Sequence, residues 1–222
     1  MKGALFWSGG KDSLLALDRA QRLGYQVTHL VNISEGNSGR VRFHGVSQSL
    51  IAAQAQALGK ILLAKSTHPD TFAEAFEKAL VDLKTQGIDT ILFGNIHLIE
   101  IRAWYEARVH AHGFQHVEPL WGDPPAKLIR EFVERGHRSR IVSVYPKCGG
   151  DVEWLGQDFT PEFIQRLEKT PGIDICGEQG EYHSFAWGGP LFQPEISFES
   201  RGTFTQDEHV CLDLYLQEAV CV

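Results

Sequence analysis

The sequence predicts an α/β protein: a parallel-sheet domain followed by a smaller, mixed α+β domain. Three observations carry this expectation. Over roughly the first 145 residues, short apolar runs alternate with amphipathic segments, the pattern of strand–helix–strand units around a parallel sheet. A glycine-rich run, Ser8-Gly9-Gly10-Lys11-Asp12-Ser13, sits where the first strand hands over to the first helix. After Gly122-Asp123-Pro124-Pro125 the rhythm changes, which divides the chain into residues 1–122 and 123–222.

Each element follows from its own pattern. Residues 4–7 form a short apolar run that reads as a buried first strand. Residues 13–23 place Leu14, Leu15, Leu17 and Ala20 on one face and stop at Gly24, which predicts a helix. A strand is expected over 27–33, and 34–45, rich in Ser, Gly and Asn and without periodicity, is expected to be a mobile loop over the strand ends. Helices are predicted at 47–58, 71–86 and 98–111, and strands at 61–64, 90–93 and 117–120. Beyond the double proline come a helix at 126–135, a strand at 141–145, a short helix at 161–168, a Gly-rich stretch at 172–190 and two strand-like runs at 196–204 and 210–220.

The 222 residues are 43% hydrophobic and 22% charged, which excludes disorder, coiled coil and collagen and leaves ample apolar surface for a core. Twenty-one Lys and Arg against 28 Asp and Glu give a net charge of −7, which counts against a broad nucleic-acid footprint. The apolar N-terminal run meets Ser-Gly-Gly and charges almost at once, so neither a signal peptide nor a membrane span is read there, and a cytoplasmic protein with no membrane partner is expected. Cys148, Cys176, Cys211 and Cys221 form no CxxC pair, which disfavours a zinc knuckle or a dithiol redox site. His110, His112 and His116 lack a completing carboxylate at ligand spacing.

The run at 8–13 has the chemistry of a polyphosphate cradle. Glycines admit an anion close to the backbone, the helix start aims unpaired N–H groups and a positive dipole at it, and Lys11 adds a full charge. It is neither a Walker A loop nor a GxGxxG fingerprint. A second cluster, Gly177-Glu178-Gln179-Gly180-Glu181-Tyr182-His183-Ser184, puts two carboxylates on a flexible backbone, suited to a cation or readable as a solvated acidic turn. His44 beside Arg40 and Arg42 suggests a lid over phosphates or a solvated basic loop. Arg102 and Glu106 could pair along a helix, while Arg102, following Gly94-Asn95 at a strand end, could instead reach a phosphate; the second is favoured.

The six residues 8–13 resemble the PP-loop of the ATP pyrophosphatases. Phe43-His44, Gln54-Ala55, Ala57-Leu58-Gly59, Gly94-Asn95-Ile96 with Arg102 and Glu106, Pro119-Leu120-Trp121-Gly122, Trp154-Leu155-Gly156, the block at 177–185 and Pro190-Leu191-Phe192 narrow the resemblance to the diphthine–ammonia ligase family, over nearly the whole chain. Asn95 stands where that family usually has aspartate, and Ser184 where it commonly has threonine.

The resemblance implies a HUP-like, PP-loop ATP-binding domain at 1–122 and a substrate-binding domain at 123–222. It implies an ATP-dependent, AMP- and pyrophosphate-forming ligase that adenylates a carboxylate and amidates it with ammonia. ATP contacts would come from Ser8, Gly9, Gly10, Lys11, Asp12, Ser13, Asn32, His44, Gly94, Asn95 and Arg102, with Mg2+ at Asp12. Lys11, Asp12, Arg102, Glu178 and Glu181 would be catalytic. Trp154, Gly177, Glu178, Gly180, Glu181, Tyr182, His183 and Ser184 would face the acceptor, in which a trimethylammonium group would suit carboxylates and aromatic rings. The implied partners are ATP, ammonia and a carboxylate-bearing acceptor, either diphthine on elongation factor 2 or a small molecule, with a homodimer left open. A PP-loop RNA-modifying enzyme and a non-catalytic ATP or AMP binder are the alternatives.

Overall fold

A computed structural model describes residues 1–217; Cys221 and the end of the strand expected at 210–220 lie outside the described residues. Five parallel strands, β1 (Lys2–Phe6), β2 (Gln26–Glu35), β3 (Ile61–Thr67), β4 (Thr90–Leu92) and β5 (Gln115–Val117), lie in the order β3-β2-β1-β4-β5. Helices α1 (Lys11–Arg22), α2 (Gln48–Ala57), α3 (Phe72–Thr85) and α4 (Ile99–Ala111) cross between them. The central strands are apolar and buried because helices cover both faces. This is the HUP-like, doubly wound sheet expected from the sequence.

The order places the first two crossovers, through β2 to β3, on one side of β1 and the later strands β4 and β5 on the other, so the connections leaving β1 and β4 diverge at their carboxyl ends. Residues 8–13 and Gly94-Asn95 both fall in that crevice. Gly94 is required there: a Cβ would lie 3.0 Å from the Asp12 carbonyl carbon and 3.1 Å from the Ser13 nitrogen.

After α5 (Pro125–Glu134) comes an antiparallel sheet in the order β7-β6-β9-β8, built from β6 (Arg138–Val144), β7 (Tyr182–Gly188), β8 (Phe198–Gln206) and β9 (His209–Leu216), with α6 (Pro161–Glu168) beside it. Three expectations need correcting. The strand expected at 117–120 runs over Gln115–Val117. The Gly-rich stretch at 172–190 contains β7, whose buried Tyr182, Ser184, Phe185 and Ala186 pack it into the interior. The 34–45 segment is not a free loop: β2 continues to Glu35, Arg40 pairs with Asp213 at 2.7 Å and lies over the Phe204 ring, and an antiparallel bridge joins Arg40 to Ser47.

Two apolar cores result. One, around Phe76, Leu80, Leu83 and Val109, lies between the parallel sheet and α3 and α4. The other starts from Leu5, Leu14 and Leu17 and continues without a break through Leu128 and Phe132 of α5 to Phe163 and Phe185. The two sheets are further tied by Ala186 N–H donating to the Gly9 carbonyl at 2.8 Å.

Candidate functional site

A cavity of about 490 Å³ opens where the crevice meets the antiparallel sheet. Its floor is the loop at 8–13. Gly9 adopts a left-handed backbone (φ +89°) and approaches α2 so closely that a Cβ would meet Ile51 at 2.7 Å. Gln54, wholly buried, fixes the loop: its Nε2 donates to the Gly9 and Ala186 carbonyls at 2.9 and 2.6 Å, and its Oε1 accepts from the Trp7 indole at 2.7 Å. No side chain caps α1; the Lys11 N–H donates to Ser184 Oγ at 3.1 Å. Ser8 and Ser13 share a hydrogen bond of 3.1 Å across the turn.

Lys11 is 3% exposed. Its ammonium donates to Asp12 at 2.8 Å and to the Cys176 carbonyl, and lies 5.1 Å from the Tyr182 ring centre. Burial pulls its pKa down, but Asp12 and its other neighbours outweigh that and hold it well above the usual lysine range. Burial likewise raises the Asp12 carboxyl, and Lys11 opposes the rise. Glu178 reaches the same spot from the second half of the chain, accepting from the Ile96 N–H at 3.4 Å. Burial first and the Asp12 charge second push its carboxyl up to about 7.

The roof carries two imidazoles, His44 and His183, with His209 packed behind His183. His44 shares a 3.0 Å hydrogen bond between Nδ1 and the Ser184 carbonyl, its ring centre is 4.6 Å from that of His183, and His183 is 5.7 Å from His209. Burial pushes His44 down to about 4, and burial together with its two neighbours holds His183 well below the histidine range. Both are neutral near pH 7.

Of the residues singled out from the sequence, Ser8, Gly10, Lys11, Asp12, Ser13, Asn32, His44, Gly94, Asn95, Gly177, Glu178, Tyr182, His183 and Ser184 line this cavity. Asn32 is already committed internally, donating to the Trp7 carbonyl at 2.7 Å and accepting from Gln48 at 3.1 Å. Five residues lie elsewhere. Gly9 supports the loop from behind. Arg102 stacks on Trp121 and faces Glu118 and Glu106 at 3.6 and 3.8 Å, so the pairing along the helix is present, extended to Glu118, and Arg102 does not line the cavity as the favoured phosphate contact would require. Trp154 is buried edge-on against Tyr182. Gly180 turns the chain at φ +91°, and Glu181, 1% exposed, accepts from the Asp174 and Gln179 N–H groups at 2.6 and 3.1 Å. Of the two carboxylates in that block, one therefore folds the loop and the other faces the cavity.

Residues without a motif also matter. His209 and Glu118 come from strand ends, and no sequence pattern marked them. Among the described residues no group of three or more His, Cys, Asp or Glu has metal-holding geometry, and no helix is long and apolar enough to cross a membrane. Cys148, Cys176 and Cys211 are free, and burial pushes the cavity-lining Cys176 thiol far up, away from nucleophilic character.

Comparison with known proteins matches the diphthamide synthase N-terminal domain over residues 1–116 and the diphthamide synthase C-terminal domain over 124–213. The chain belongs to the diphthamide synthase family. Relatives include the diphthine–ammonia ligases of Homo sapiens, 24% identical over 90% of this chain and 84% of that protein, and of Danio rerio, 23% identical over 88% and 86%. Among solved structures, a predicted subunit of tRNA methyltransferase from Methanocaldococcus jannaschii superposes with a TM-score of 0.47 at 16% identity, covering 85% of this chain and 98% of that one.

Proposed function

We propose that this family member is an ATP-dependent, AMP- and pyrophosphate-forming ligase that converts a substrate carboxylate to an amide with ammonia. The observation that carries the reading is the meeting, in one cavity, of the helix-start loop with Lys11 and Asp12 and of Glu178 from the other half of the chain. The relatives' name, diphthine–ammonia ligase, supplies the reaction class and the first acceptor to test.

In the first step an acceptor carboxylate oxygen attacks the α-phosphorus of ATP, the bond to the β-phosphate oxygen breaks, and pyrophosphate leaves. In the second, ammonia attacks the acyl carbon, the bond to AMP breaks, and a proton is shed from nitrogen. Lys11 and the first-turn amides of α1 offset the charge on the departing pyrophosphate. Glu178 faces the incoming ammonia, and its elevated pKa suits it to take the proton shed from nitrogen after attack. His44 and His183, kept neutral, roof the site without adding charge, and Tyr182 lines its wall. Asp12, a buried carboxylate at the start of α1 that is ion-paired to Lys11, would hold Mg2+ together with the nucleotide phosphates, as that ion is typically held by one or two carboxylates and substrate phosphates. When bound, the ion would neutralise phosphate charge.

The test is AMP and pyrophosphate release from ATP with ammonium across carboxylate acceptors, diphthine-bearing elongation factor 2 included. Acceptor- and ammonium-dependent AMP formation supports the reading. ADP formation, or tight ATP binding with no turnover, overturns it.

A further inference from the structure

Glu118, just beyond β5, has a side chain only 2% exposed, and its Oε2 has no hydrogen-bond partner. Burying a carboxylate this incompletely satisfied is costly, and packing does not require it. Besides the looser Arg102 pairing, Glu118 has one close bond: Asn95 Nδ2 donates to Glu118 Oε1 at 2.7 Å, and Asn95 lines the cavity. A carboxylate only accepts, so it dictates which end of the Asn95 amide turns toward it. We propose that Glu118 is a positioning residue that locks Asn95 with its carbonyl oxygen free for the cavity, where it accepts a hydrogen bond from a neutral donor of the bound nucleotide, either a ribose hydroxyl or the exocyclic amine.

The location favours the nucleotide over the acceptor, because Gly94, next in chain to Asn95, packs directly on the Asp12–Ser13 backbone of the phosphate loop. The same contact accounts for asparagine at this position. An aspartate would set a second carboxylate against Glu118, whose nearest guanidinium, Arg102, already faces Glu106 as well. Arg102 Nε is 3.6 Å from Oε2, His116 Nε2 is 3.3 Å from Oε1 without hydrogen-bond geometry, and Tyr105 and Glu106 complete the titratable groups around it.

The proposal rests on the ligase reading only in taking this cavity as the nucleotide site. Its experiment is a cycle of wild type, Asn95→Asp, Glu118→Gln and the double variant, with thermal unfolding as a folding control and ATP affinity measured by calorimetry from pH 6 to 9. The probes are ATP, 2′-deoxy-ATP, 3′-deoxy-ATP and the 6-deamino analogue. Wild type is expected to lose roughly tenfold in affinity for the analogue lacking the donor, which also tells hydroxyl from amine. Glu118→Gln, able to donate as well as accept, loses that discrimination. Asn95→Asp binds more weakly as pH rises, and adding Glu118→Gln removes this pH dependence because the glutamine can donate to the new carboxylate. Unchanged discrimination in Glu118→Gln, or a double variant no better than Asn95→Asp, overturns the proposal. Absence of turnover in a wild type that shows the full binding pattern would instead overturn the ligase reading alone.

Discussion

An ammonium that is 3% exposed needs compensating partners, and Lys11 has Asp12, the Cys176 carbonyl and the Tyr182 ring. Replacing it strands Asp12 in the cavity. Lys11→Met is expected to lower ATP turnover at least ~100-fold and to cost about 1–3 kcal/mol of stability, measured by AMP release and thermal unfolding. Turnover at the wild-type rate would refute the loop assignment. The two carboxylates of the Gly-rich block should separate cleanly. Glu178→Gln spares ATP binding and impairs ammonium-dependent turnover. Glu181→Gln weakens two backbone contacts to a charged acceptor, about 1.5–3 kcal/mol each at most, and shows first as lower thermal stability. The opposite assignment of phenotypes would mean that the acceptor side has been misplaced. In sequence the two glutamates are equivalent, because only the tertiary path of the loop decides which one turns inward.

At the scale of elements, the segment after β2 is held to the antiparallel sheet by Arg40–Asp213, by Gln206 Nε2 donating to Glu35 at 2.7 Å and by His44 against β7. His44 gives this clasp a pH dependence with a definite sign. Its folded pKa, about 4, lies below the ordinary 6.5, so the unfolded chain binds a proton that the folded chain refuses. The stabilising contribution is complete above pH 6.5 and is lost progressively as pH falls toward 4. Protection of residues 36–47 against hydrogen exchange, taken relative to the intrinsic amide rate at each pH, should fall across that window, and His44→Phe should reduce the response; wild-type protection unchanged from pH 7 to 4 would show that His44 does not hold the clasp. The strand–helix alternation that builds the parallel sheet was readable because each unit carries its own period, and the place of the loop at 8–13 because its six residues are contiguous. The clasp was not, since Ser, Gly and Asn around Arg40 read as loop and its partners lie some 170 residues away. β7 was hidden for a related reason: Gly177 and Gly180 announce a turn, and the alternation in Tyr182–Gly188 is masked by polar residues that are buried against the loop they support. The Glu106 pairing of Arg102 was readable from helical spacing, but its Glu118 contact and the burial of Trp154 were not, because helix and loop patterns identify an exposed face or an aromatic residue without naming its neighbour.

For the whole molecule, the apolar core that begins at Leu5 and runs through Phe185 to Leu214 crosses the double proline, so the antiparallel sheet shares its interior with the parallel one. Phe132, 1% exposed on α5, packs against Phe159 and belongs to this shared core rather than to one half of the chain. α5 is also bound electrostatically to α1, with Glu131 meeting Arg22 at 2.9 Å and Arg19 on its other side, while Arg135 pairs with Asp18. Folding should therefore be one cooperative transition even though the two family domains match separate stretches of sequence. Phe132→Ala is expected to cost about 3–5 kcal/mol and to lower a single calorimetric transition. Residues 1–122 produced alone should bind a hydrophobic dye and lack a sharp unfolding transition, because the apolar faces of α1 and α2 that meet the second sheet would be open to water. Two resolved transitions in the full chain, or a cooperatively folded 1–122 fragment that binds ATP with full affinity, would show that the halves fold independently. Glu178 and Lys11 would then meet by docking of finished domains. With a shared core, the same event that buries Phe132 also brings Glu178 to the phosphate loop, and the site cannot form before the whole molecule does.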